Sequence, residues 1–228
     1  LTEALLDFEA RGRIKKKPTV KIDHSDDRVD QAWELPTEFE FIQNFPETVE
    51  DIIRRRIMRL AEPLRVMLEY ASIQGEEFIL EAIPNTTPEQ MQVGIAILKP
   101  QRFILERGEQ ILPNGTHIHQ YAFRHHLIRE CLYLQLPAEQ RTRLHAETGI
   151  CLERLYAPHT YEIGAELAVD FYYGQIPDKA VPYCLKVAEA ANRRRGTPEA
   201  VRFGLMGLKA VEEGGRTFPQ KTYAEYKW

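Results

Sequence analysis

Long apolar runs, paired cysteines and a surplus of charge of one sign are all missing from this 228-residue sequence, and each absence removes a class of protein. No apolar run approaches the roughly 20 residues that carry a helix across a bilayer, and the N-terminus has no charged-then-apolar signal pattern. Cys131, Cys151 and Cys184 are odd in number, far apart and form no C-x-x-C. Neither a disulfide framework nor a zinc site is expected, and a reducing cytoplasm fits. A formal net charge of −4 gives no bulk attraction to phosphates, so a nucleic-acid partner needs a local basic patch. Also missing are HExxH and G-x-x-x-x-G-K-[ST]. Without a glycine-rich nest and its lysine, this chain alone is not expected to hydrolyse ATP.

What is present is ordinary globular material. Hydrophobic residues make up 43% and charged residues 28%, which excludes disorder as the default, and the length accommodates two small domains with real cores. The sequence opens in an apparent helix with Leu1, Ala4, Leu5 and Phe8 on one face and Gly12 as its stop. With no initiator Met, it reads as a fragment of something larger. The charged, Pro-bounded stretch up to Pro36 reads as a linker or short hairpin with Trp33 and Leu35 as anchors.

From Thr48 the period becomes helical. Val49, Ile52, Ile53, Ile57 and Leu60 define a first core helix over about 47–60. A second runs from Pro63 to a stop at Gly75. A third is capped by Thr86 or Thr87, with Pro88 in its first turn and Met91, Ile95 and Leu98 facing inward. Two short strands around Pro113, Asn114 and Gly115 then form a hairpin. After His125 everything is helical, broken near Pro137, Pro158, 174–177 and 196–198. The expected fold is mainly α: a winged-helix domain with a small β-hairpin, followed by TPR-like antiparallel helical repeats. The expected segments are 1–36, 37–124 and 125–228.

The run Phe123–Tyr133 (FRHHLIRECLY), with Arg143-Leu144-His145 after it, resembles a recurring block of bacterial STAND-type ATPases of the LuxR/maltose-activator kind, "F-x-H-x-L-I-R-E-x-x-Y" followed by "R-x-x-L-H". Phe123, His126, Leu127, Arg129, Tyr133 and His145 carry the match. Upstream, Ala71, Gly75 and Phe78 loosely fit the family's "A-x-x-G-x-x-F". The resemblance implies a segment following a nucleotide-binding core, 1–36 being the end of a lid helix and a linker. It further implies no cofactor of its own, ATP or ADP in the parent, and docking partners in the parent's nucleotide domain and in a protein or inducer on the repeats. His125 would stand where related switches present the histidine of "M-H-D" to the ADP phosphate, favouring the resting state. His126 replaces the motif's Asp, so the carboxylate beside that histidine is missing. The plainer account is that His125 caps a helix start and packs beside Phe123.

Other chemistry competes weakly. His117, His119, His125 and His126 invite a metal, but no Cys or carboxylate completes the set at useful spacing, and solvent-facing strand histidines explain them. Cys131 and Cys151 sit in apolar stripes, where thiols are inert packing. A DNA-reading winged helix is the alternative function, yet its third helix offers Gln90 and Gln92 with Lys99 and Arg102 only at the end, a poor set for base edges. Neither nucleic acid nor membrane is expected as a partner.

Overall fold

The computed structural model describes residues 15–19, 30–34 and 48–214. The expected helix at Leu1–Phe8 lies outside them. The chain divides into two compact units between Leu60 and Ala61. In the first, strands β1 (Lys15–Thr19) and β2 (Asp30–Glu34) pair antiparallel with Lys15 opposite Glu34, so the linker region does contain a hairpin. Helix α1 (Val49–Met58) begins at Thr48, whose hydroxyl accepts from the Asp51 backbone N–H at 3.2 Å, and buries Ile52, Ile53 and Ile57. That cap satisfies one of the orphan donors of a helix start.

The second unit is mainly helical with a small antiparallel sheet. Helix α2 (Glu62–Gln74) stops at Gly75, where φ is +137°, a conformation open to glycine and costly for other residues. A strand the alternation does not predict follows, β3 (Glu77–Ile79), then a 3₁₀ turn (Leu80–Ala82). The Gln74 amide clamps this edge, accepting from Ile79 N–H at 2.8 Å and donating to Ile79 C=O at 3.1 Å. Helix α3 (Pro88–Leu98) starts in a complete capping box between Thr87 and Gln90, which decides between the two threonines. Strands β4 (Ile104–Ile111) and β5 (His117–Phe123) form the hairpin, and β5 lies in the middle of the order β3-β5-β4. Gly115, at φ +84°, turns the hairpin. Asn114 ties its tip to the end of a later helix by donating to the Leu155 and Ala157 carbonyls at 2.8 and 2.9 Å.

Five helices complete the unit: α4 (His126–Gln135), α5 (Ala138–Tyr156), α6 (Gly164–Tyr173), α7 (Pro177–Arg193) and α8 (Thr197–Glu213), with a 3₁₀ turn at Thr160–Ile163. From α5 onward each packs on the next, and the breaks fall where Pro and Gly predict them. The expected boundary at 124/125 runs through one shared core. Ala82, Leu112 and Ile118 of the sheet region cluster with Leu152, Tyr156, Leu167 and Phe171 of the stack. Close approach is enforced by small residues: a Cβ on Gly174 would stand 2.7 Å from the Ala146 backbone nitrogen, so α6 meets α5 there without a side chain between.

Candidate functional site

The motif block straddles the end of β5 and the whole of α4. Phe123 is buried and its N–H donates to the Glu76 carbonyl at 2.9 Å. His125 is the N-cap of α4, its Nδ1 accepting from Leu127 N–H at 3.3 Å. Its ring stacks on His126 at 4.7 Å. Both histidines are exposed, because the chain leaves the sheet here and the polar turn faces water.

Farther along α4, the motif closes on itself. Arg129 donates from Nε to the Ser72 carbonyl at 3.0 Å, and its guanidinium lies 5.3 Å from the centre of the Tyr133 ring. Arg141 approaches the same ring at 5.4 Å, within cation–π range. The Tyr133 hydroxyl meets His145 Nε2 at 3.1 Å, and His145 Nδ1 meets Asp170 Oδ1 at 2.8 Å. His145 and Asp170 are each 4% exposed. In one consistent proton arrangement Tyr133 O–H donates to Nε2, and Nδ1–H donates to the carboxylate. Burial holds the Asp170 carboxyl above its ordinary range even though the His145 hydrogen bond pulls it down. The three residues come from α4, α5 and α6, so the tie fixes how those helices sit.

Sequence reasoning placed Tyr133 and His145 in one motif but missed Asp170. The signal was present as a carboxylate on the buried stripe between Leu167 and Phe171, where a charge needs a partner.

His119 has carboxylates the spacing could not reveal. Its Nδ1 lies 2.5 Å from Glu81 Oε1 and its Nε2 3.3 Å from Glu109 Oε1. The hydrogen bond to Glu81 leads in raising the His119 pKa. His117 is exposed, and among the described residues no group of three or more His, Cys, Asp or Glu could hold a metal. Cys131 and Cys184 are buried and Cys151 half-buried, with its Sγ directed at the Glu81 carbonyl. Burial pushes the Cys184 thiol up to about 12 and the Cys151 thiol in the same direction, which disfavours the nucleophilic thiolate.

Helix α3 departs from expectation. Leu98 is fully buried, but Met91 and Ile95 are only half-buried and line an open cleft of about 530 Å³ shared with His119 and Tyr121. They are not core. Only Gly94 and Leu98 of this helix are buried, and Gly94 admits Met67, whose Cε would stand 2.7 Å from a Cβ there. Among the described residues no helix is long and apolar enough to cross a membrane. The chain matches no known protein family, no curated protein and no solved structure.

Proposed function

We propose that this chain is a non-catalytic regulatory and protein-interaction segment of a STAND-type signalling ATPase, a winged-helix-like unit continuing into TPR-like repeats. The observation that carries the reading is the meeting of the motif's two separate parts: Tyr133 and His145, twelve residues apart, share a hydrogen bond at 3.1 Å. The order of helices, hairpin and stacked helices is in keeping with it. With its Nδ1 accepting from Leu127 N–H at the cap, His125 keeps Nε2 as a donor for a phosphate on a nucleotide domain. The surface of α3 favours a protein contact over the alternative of a DNA reader. Val93 is 59% exposed, and Lys99 is engaged by Glu106, so the helix offers apolar surface where a DNA reader offers free donors.

The test is made in a parent protein carrying a P-loop core joined to this segment: His125→Ala and Val93→Glu are expected to speed ADP release and raise basal activity. Unchanged ADP release in both variants refutes the docking role. A gel-shift at two salt concentrations separates the alternative, because phosphate-bound protein loses affinity steeply as salt rises.

A further inference from the structure

Helix α8 is apolar on two sides. It buries Ala200, Phe203, Gly207, Ala210 and Val211 and packs on α7 and α6. On another side Val201 and Leu205, one turn apart, are 54% and 57% exposed, and half-buried Leu208 continues the row. The last helix of a stack needs a polar outer face for solubility, and along this row α8 does not provide one.

The sequence beyond Gly214 repeats the punctuation of the stack. Pro177 opens α7, Pro198 stands in the first turn of α8, and Pro219 follows at the same spacing of 21 residues. A glycine precedes each of them, at Gly174, Gly196 and Gly214. After Pro219, a helical period puts Tyr223 and Tyr226 on one face. The chain from Gly214 to Pro219 can reach about 16 Å, more than the roughly 8–10 Å between packed helix axes. Residues 219–228 in a helix would span about 15 Å, and the row from Val201 to Leu208 covers about 10 Å. Charge agrees as well, since 215–228 carries Arg216, Lys221 and Lys227 against Glu225, and it leaves α8 beside Glu212 and Glu213.

We propose that residues 219–228, which lie outside the described residues, supply the next antiparallel helix of the stack and lay Tyr223 and Tyr226 over Val201 and Leu205. A second copy of the chain is the poorer occupant. A stable dimer buries about 1,200–2,000 Å², and this row is one residue wide, whereas a tethered segment meets it at an effective concentration on the order of millimolar. A protein partner then reaches the end of the stack only by displacing the chain's own residues 219–228.

Hydrogen exchange of the intact chain, read by mass spectrometry on peptides covering 220–228, tests the contact. Exchange there is expected to be about tenfold slower than in an unstructured peptide of the same sequence, and independent of protein concentration. Leu205→Glu is expected to abolish the slowing while exchange in α5, α6 and α7 stays as it was, because Leu205 is more than half exposed in the described fold. Tyr226→Ala is expected to do the same from the other side of the contact. Exchange of 220–228 at the unstructured rate overturns the proposal. So does slowing that persists in Leu205→Glu, or slowing that appears only at high protein concentration, which would assign the row to a second copy.

Discussion

His145→Ala is the most informative single perturbation of this fold. It removes the imidazole from a pair in which both side chains are about 95% buried and leaves Asp170 with only the remote Glu166 charge to feel. Stranding a buried carboxylate costs roughly 3–5 kcal/mol. The carboxyl can escape by taking a proton, and that caps the charge penalty. A group that ordinarily titrates at 3.8 needs about 1.4 kcal/mol per pH unit to be protonated at neutral pH, or about 4 kcal/mol at pH 7. The lost Tyr133 hydrogen bond adds about 1 kcal/mol. The sign with pH follows from a folded-state pKa that lies above the unfolded one. The folded variant holds the extra proton, so its deficit is largest near pH 7–8 and shrinks as pH falls toward the raised Asp170 value. Urea unfolding followed by helical circular dichroism at several pH values measures this. Adding Asp170→Asn to the variant removes the charge, which should recover much of the loss and flatten the pH dependence. A deficit below about 1 kcal/mol, or one that grows on acidification, would falsify the view that His145 and Asp170 are a mutually dependent buried pair.

Three further outcomes are expected. Gly204→Ala, where a new Cβ meets nothing within 4 Å, stabilises α8 by about 1 kcal/mol, whereas Gly174→Ala drives a Cβ into the Ala146 backbone and destabilises by roughly 1–3 kcal/mol or more; equal melting shifts would contradict the packing described. Thr87→Ala removes the capping box of α3 and lowers unfolding free energy by about 1 kcal/mol, measured by the same urea transition. Of the three cysteines, a disulfide reagent at pH 8 should reach at most Cys151 in the folded chain and all three in denaturant; rapid native labelling of Cys184 would contradict its burial.

Much of the architecture was legible because its signals are local. Proline and glycine punctuation near 137, 158, 174–177 and 196–198 delimits the helices of the stack, and the Pro113-Asn114-Gly115 turn marks the hairpin. β3 was not legible, because three residues carry no readable alternation. It exists because β5 offers a pairing edge, and Phe78 stacks on Tyr121 at 6.0 Å and lies tilted against Phe123 at 5.4 Å. The inward assignment of Met91 and Ile95 failed for a related reason. A helix period tells which residues share a face, and here a glycine contact with Met67 chose a different strip of α3 to bury.

The candidate site divides the same way. The motif residues could be named from order alone, and the capping role of His125 follows from its place before a helix. The partners could not. Asp170 lies 25 residues beyond His145, and Glu81 lies 38 before His119.

The sequence by itself marked where the helices of the described residues run and stop, because hydrophobic period, backbone freedom and capping act within a few positions of the chain. The tertiary structure alone decided which carboxylate meets which histidine, which apolar residues stay open to a cleft, and that sheet and helices share one core. Those outcomes depend on distances between residues far apart in order, and such distances are set only when all the faces pack together.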